Sequence, residues 1–290
     1  MRILYYGVFD GRRWRTEYPI VQALREMGHT VHCVNFRSFL PWTIPSRWKK
    51  YRHQIDVVFI QNGIPFKPEY LADITCPIIY LASEFSLQSQ IHILQAPRKP
   101  DFVMAHSEQV LEWCLTNGVQ ACRIHHAFNP EFYQHQSVPF QYDLCFIGSL
   151  TPRRRKLLST LEQQPLRLFT GECWNPHTIN RLFNQSKLVL HIHAGEENYL
   201  PTRFFEVLPT QGCFLTEALG QNAAPDLQTC FAEWHTPEEL NHQMTRLLSD
   251  SSARMQLVST ANQQAAEHTW FARAQQYAEI FTRVKESTRT

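Results

Sequence analysis

Short, almost wholly apolar runs alternate with longer amphipathic stretches along most of the chain, and this alternation limits the fold more than any other feature. An apolar run of roughly four to eight residues suits a strand buried on both faces, and the amphipathic stretches supply the crossover helices that parallel strands need. The pattern predicts strands at Ile3–Gly7, Thr30–Asn35, Asp56–Gln61, Pro77–Ala82, Asp101–His106 and Arg123–His126. Helices are predicted over Glu17–Met27, closed by Gly28, and over Ser107–Asn117, opened by Ser107 and closed by Gly118.

A segment with turn residues and no periodicity, Phe128 to Pro139, follows, and then the pattern restarts. Strands are predicted at Asp143–Gly148, Leu166–Thr170, Lys187–His193 and Cys213–Thr216, with helices over Arg153–Gln163, Pro176–Gln185 and Pro201–Leu208, and a mostly helical end from Pro237 to Val284. The expectation is an α/β chain of two Rossmann-like domains facing a cleft, over 1–135 and 136–270, with a C-terminal helix over 271–290 that packs back on the first domain. Ligands of such sheets bind beyond the carboxyl ends of the strands, so function belongs in the loops that follow them.

Composition narrows the partners. The 290 residues are 43% hydrophobic and 19% charged, with a net charge of +2, which excludes disorder and gives no polybasic footprint for nucleic acid. Eight cysteines occur with no C-x-x-C pair, and they read as small buried hydrophobes in a reducing compartment. No apolar run reaches the roughly 18 residues of a membrane span, and the expected location is cytoplasmic. Glycine is scarce at 10 residues, so each one at a strand end is informative.

Several common sites are missing. The loop after the first strand reads Gly7-Val-Phe-Asp-Gly11, which fails the dinucleotide fingerprint, and neither a P-loop nor a nucleophile elbow occurs. His191 and His193 share a strand face, yet only Glu196 or Glu197 lies close enough in sequence to add a ligand, so no metal is expected. A hydrogen-bonding role suits His193 better.

The informative stretch runs from Ser186 to Glu217. A buried strand enters an acidic, Gly-containing loop, and Pro201 suits the first position of a helix. The free N–H groups of that helix and Arg203 suit a phosphate group, and Glu206 can accept two hydroxyl hydrogen bonds from a ribose. An ordinary Arg203–Glu206 ion pair on a helix surface fits these residues equally well.

This stretch resembles the donor-binding motif of GT-B-fold glycosyltransferases, in the spore-maturation-type (group 1-like) branch; it stands here as Ser186-Lys187, then Arg203-Phe-Phe-Glu206, then Gly212-Cys-Phe-Leu-Thr-Glu217. Tyr142-Asp-Leu-Cys-Phe-Ile-Gly148-Ser-Leu-Thr-Pro-Arg-Arg-Arg-Lys156 and His268-Thr-Trp-Phe-Ala-Arg-Ala274 are similar to two further stretches of that family, and Gly171 fits as well. The resemblance implies a transferase that uses a nucleotide-sugar donor and no cofactor, with the domain over 1–135 on the acceptor side and the domain over 136–270 binding the nucleotide sugar. It implies that Glu206 holds the ribose, with Arg203 near the diphosphate. Gly148, Ser149 and Gly171 would allow close approach of the donor, and Arg153 or Arg154 would supply counter-charge. His193, Gly195, Asn198 and Tyr199 would line the sugar pocket. The basic run from Arg153 also fits a solvated first turn of a helix, although cations there oppose the helix dipole. Two departures stand out. Asn198 replaces a glutamate found in many retaining members, and Pro209 stands where the family carries a small helix former and should end the helix early. A binding or partner protein without turnover and a sugar-nucleotide epimerase remain open alternatives.

An inverting transfer to the unknown acceptor needs a general base, and Asp10 and Glu84 both follow strands on the acceptor side. Glu84 is the better placed of the two, since Ser86 can cap the helix that follows, although a carboxylate there also suits a plain dipole complement. Between Glu26 and Asp56 the chain has no acid but carries Arg37, Arg47, Lys49, Lys50 and Arg52 with Trp42, Trp48 and Tyr51. Residues 37–52 therefore suit either a solvated helix face or weak peripheral contact with an anionic membrane.

Overall fold

A computed structural model describes residues 1–37, 43–61, 66–84, 86–194, 200–219 and 224–288. The chain forms two compact units, Met1–His125 with Trp270–Thr290, and His126–Thr269.

Unit 1 is built on β1 (Arg2–Gly7), β2 (Thr30–Asn35), β3 (Val57–Gln61), β4 (Ile78–Ala82), β5 (Phe102–Ala105) and β6 (Ala121–Arg123), in the order β2-β1-β3-β4-β5-β6. Every pairing is parallel. Val57 to Ile60 and Ile78 to Ala82 are wholly buried, which is why these strands read as continuous apolar runs instead of alternating ones. Helices α1 (Glu17–Glu26), α2 (Thr43–Tyr51), α3 (Leu87–Leu94) and α4 (Glu108–Thr116) connect the strands. Helix α1 buries Ile20, Val21 and Leu24, and Gly28 follows it at φ +83°, a left-handed conformation that only glycine adopts at little cost.

Helix α2 buries Ile44 and Trp48, whose indole N–H donates to Asp73 O at 2.9 Å. Its two apolar anchors are four residues apart among basic residues, so the charge hides the amphipathic pattern. Arg47, Lys49, Lys50 and Arg52 are exposed, whereas Tyr51 stacks on His32 with 4.4 Å between ring centroids. Trp42 lies outside the described residues. The sixth strand forms at Ala121–Arg123 instead of Arg123–His126, because its pairing with β5 sets Ala121 opposite Val103.

Unit 2 is built on β7 (Tyr142–Ile147), β8 (Leu168–Gly171), β9 (Ser186–His191), β10 (Cys213–Glu217) and β11 (Ala232–Trp234), all parallel, in the order β11-β10-β9-β7-β8. Alternate residues serve opposite faces. Cys145, Ile147, Val189 and Phe214 join one core cluster, and Leu144, Phe146, Leu188, Leu190 and Leu215 the other. Helices α5 (Pro152–Glu162), α6 (Pro176–Asn184), α7 (Thr202–Val207), α8 (Pro237–Ser249) and α9 (Ser251–Gln264) cover this sheet. Thr151, Asn175, Thr236 and Asp250 cap α5, α6, α8 and α9 by accepting a backbone N–H from the first turn.

Gly212 opens β10 where a Cβ would come within 2.8 Å of Phe183 O and of Val189 Cγ2, so no larger residue fits without movement. The aperiodic segment before β7 is held by α6: Asn180 Oδ1 accepts from Gln134 N at 3.1 Å, and Asn184 Oδ1 from Gln136 N at 2.9 Å.

The last helix, α10 (Trp270–Ser287), belongs to unit 1 and packs on α1. Phe281 meets Phe59 at 5.1 Å between ring centroids, and Lys285 Nζ donates to Asp56 Oδ1 at 2.9 Å. All eight cysteines are free thiols, and among the described residues no helix is long and apolar enough to cross a membrane.

Candidate functional site

In unit 2 the chain passes from β7 outward to β8 and then returns to β9 on the other side of β7, so the loops after β7 and β9 diverge at a switch point where ligands of doubly wound sheets bind. Two arginines from the first turn of α5 tie these loops together. Arg154 donates to Ile192 O from Nε and Nη2, at 3.0 and 2.7 Å, and to Ser149 O from Nη1 at 3.1 Å, with its guanidinium 5.6 Å from the Phe146 ring centroid. Arg153 Nη1 donates to His193 O and to Glu217 Oε2, both at 2.9 Å, while its Nη2 holds Glu217 Oε1. Glu217 Oε2 also accepts from His193 N at 2.9 Å. Within unit 2 these two cations stay beside a helix N-terminus because carbonyls after β7 and β9 and the carboxylate at the end of β10 engage them.

His193 is buried and reaches Ala218 O through Nε2 at 3.1 Å and His191 Nε2 through Nδ1 at 3.3 Å. Burial holds the His191 pKa well below the usual imidazole value, and His193 and the guanidinium groups of Arg154 and Arg203 push it the same way. These influences all favour the neutral imidazole at His191. Among the described residues, no group of three or more His, Cys, Asp or Glu could hold a metal ion.

Helix α7 is shorter than the sequence suggests. Pro201 is its N-cap instead of its first helical residue, and the helix stops at Val207, ahead of Pro209, which has no N–H to donate. Arg203 and Glu206 pair on it, and the other Glu206 oxygen accepts from Tyr133 Oη at 2.9 Å. Both charged side chains are largely buried, at 19% and 17% exposure, with the Arg203 guanidinium 5.5 Å from the Phe183 ring centroid. Burial and the Glu206 carboxylate raise the Tyr133 pKa, so Tyr133 stays a donor.

Ser149 is exposed, and Gly148 N donates to Gly171 O at 3.0 Å. A Cβ on Gly148 or Gly171 would approach no closer than 3.4 and 3.8 Å to other protein atoms, so internal packing does not account for either glycine. Gly195, Asn198 and Tyr199 lie outside the described residues, as do Glu196 and Glu197.

Asp10 and Glu84 belong to unit 1. Asp10 follows β1 and accepts from Arg15 Nε at 2.8 Å and Arg12 N at 3.2 Å. Desolvation alone would raise its pKa, but the Arg12 hydrogen bond and the Arg15 guanidinium outweigh it and leave the carboxyl below its usual value. Glu84 follows β4, and its charge helps to raise the pKa of Tyr80, which burial raises most.

Four polar residues beyond the sequence candidates take part in these arrangements. Glu217 closes the Arg153 clamp and Tyr133 orients Glu206. Glu17, 5% exposed and raised in pKa by burial, accepts from Val8 N at 3.0 Å, and Gln61 bonds both Tyr5 and Thr16 beside it. The signal available for Glu217 and Gln61 was their position at strand ends. Tyr133 had none, because nothing local links it to α7.

The comparisons agree with this architecture. Residues 153–279 match a family described as glycosyl transferase-like, and no curated protein matches the chain. The Anabaena protein Alr3699/HepE in complex with UDP superimposes with a TM-score of 0.69 at 15% identity, covering 97% of this chain and 100% of that one. Sucrose-phosphate synthase from Thermosynechococcus elongatus gives 0.71 at 12% identity over 99% and 100% of the two chains. T4 phage beta-glucosyltransferase gives 0.59 at 12% identity over 97% and 99%. The chain has the GT-B fold, with a segment spanning α5 to α10 that is similar to the glycosyl transferases.

Proposed function

We propose that this protein is a glycosyltransferase whose second unit binds a nucleotide-sugar donor at the carboxyl edge of its sheet. The observation that carries the reading is the Glu206 carboxylate, oriented by Arg203 and Tyr133 within the segment similar to the glycosyl transferases. Each carboxylate oxygen keeps a lone pair for a ribose hydroxyl. The loop Gly148–Ser149 lets a diphosphate approach the backbone, and Arg203 offsets part of its charge. Trp174, in the loop after β8 and 68% exposed, offers a face to a flat ring such as the base.

In the transfer, the bond between the anomeric carbon and the diphosphate oxygen breaks and its electron pair leaves with the diphosphate. An acceptor oxygen bonds to that carbon and gives up its proton. A positioned donor on the departing charge contributes roughly 2.7–4 kcal/mol. Asp10 precedes Glu84 as the base of an inverting transfer, because β1 borders the switch point of the first sheet and β4 lies one strand beyond β3. Its guanidinium neighbours keep it ionised.

UDP-sugars are the first donors to test, since the Anabaena neighbour was solved with UDP and with UDP-glucose. Thermal melting against nucleoside diphosphates and nucleotide sugars should show a rise for those that bind the folded state. Slow release of free sugar from the stabilising nucleotide sugar over hours supports a transferase. Stabilisation without release supports a binding protein, and no stabilisation by any of them refutes the reading.

A further inference from the structure

The loop after β1 carries a surface that the nucleotide reading does not use. It reads Asp10-Gly-Arg-Arg-Trp-Arg15, with Trp14 54% exposed between exposed Arg12 and Arg13 and half-buried Arg15. Arg37 joins them. Phe36 N donates to Gly7 O at 3.2 Å and Asn35 pairs with Gly7, so Arg37 leaves the end of β2 next to the strand from which this loop departs. Against these four guanidinium groups stand two carboxylates. Asp10 takes Arg15 at 2.8 Å and Arg12 at 3.8 Å, while Glu17 is buried and turned onto Val8 N. Among the described residues, the side chains of Arg13 and Arg37 make no ion pair.

An exposed indole beside guanidinium groups that outnumber their carboxylate partners offers a ligand a flat apolar face next to positive charge. We propose that this loop binds an anionic saccharide: a sugar ring lies on the face of Trp14, and a carboxylate or phosphate on that sugar is taken by Arg12 and Arg13. The negative face of the indole attracts the slightly positive C–H face of a pyranose, and the guanidinium fork matches either anion in two-point geometry. The near-neutral whole chain, at +2, and the single exposed ring in the loop favour a saccharide over a nucleic acid. As the class of acceptor, the proposal rests on the transferase reading; as a binding site, it stands without it.

Calorimetry on the full chain tests it with four probes: trigalacturonate, glucose 6-phosphate, neutral maltotriose and a short oligothymidylate. At least one anionic sugar should bind about tenfold more tightly than maltotriose, and its affinity should fall as salt rises from about 20 to about 300 mM. The double variant Arg12→Ser/Arg13→Ser and, separately, Trp14→Ala should each weaken that binding about tenfold, with Trp14→Phe recovering part of the loss. Equal binding of maltotriose, tighter binding of the oligothymidylate, unchanged affinity in the folded variants, or no binding of either anionic sugar overturns the proposal. Titration of the same wild-type protein with UDP separates the two readings. Loss of UDP binding alone removes the donor site, and loss of saccharide binding alone removes this one.

Discussion

Tyr133 donates its phenolic hydrogen to Glu206 Oε1 at 2.9 Å, across 73 positions of sequence, while Arg203 on the same helix as Glu206 holds the other oxygen. The carboxylate is thus fixed from two sides before any ligand arrives. Tyr133→Phe leaves the ring in place and removes one of those sides. Unfolding in urea should show a loss of about 1 kcal/mol, and calorimetry with UDP an affinity a few-fold weaker. Unchanged stability and affinity together would show that the phenol orients nothing.

The Arg153–Glu217 pair joins the start of α5 to the end of β10. Arg153 is about half exposed, so solvent screening limits the pair's worth. A double-mutant cycle with Arg153→Ala and Glu217→Ala should give a coupling of about 1 kcal/mol in urea unfolding. A coupling of zero would make this contact incidental.

Gly212→Ala sets a methyl group against a backbone carbonyl and a valine at 2.8 Å. Overpacking of this kind costs about 1–3 kcal/mol, seen as a lower urea midpoint with unchanged slope. A variant as stable as the wild type would mean that β10 and α6 separate without penalty.

Asp143 links Arg167, at 2.9 Å, with Lys187, at 2.8 Å. The Arg167 hydrogen bonds lower its pKa most, and Lys187 adds to this against the opposing effect of burial. Since the folded value lies below the unfolded one, the stabilisation is present above the ordinary Asp value of about 4 and is lost as pH falls toward the folded value. Asp143→Asn should therefore be about 1 kcal/mol less stable at pH 7, allowing for the exposed Arg167, with the gap narrowing below about pH 4. A gap independent of pH would assign the loss to packing instead of charge.

Much of the fold is legible in the sequence because β3, β4, β7 and β9 are buried on both faces and stand out as apolar runs. Helix α2 is less visible, since its buried anchors Ile44 and Trp48 sit among cations, and β11 is just three residues long. Within the candidate site, Arg153, Arg154, Arg203 and Glu206 are marked by local pattern. Their partners Glu217 and Tyr133 lie 64 and 73 residues away, at distances that only strand order and the docking of the 128–139 segment on α6 bring to bonding range. The shortening of α7 was readable from Pro209, whereas the use of Pro201 as a cap depends on backbone angles that sequence does not specify.

The proposed donor site turns on Glu206 holding the ribose of a nucleotide sugar. Isothermal titration of UDP into the wild-type protein and into Glu206→Gln, a change that preserves shape while removing charge, tests it most directly. Saturable binding to the wild type is expected, with an affinity at least about tenfold lower in a folded variant, a loss of about 1.4 kcal/mol or more. Equal affinity in the two proteins would contradict it.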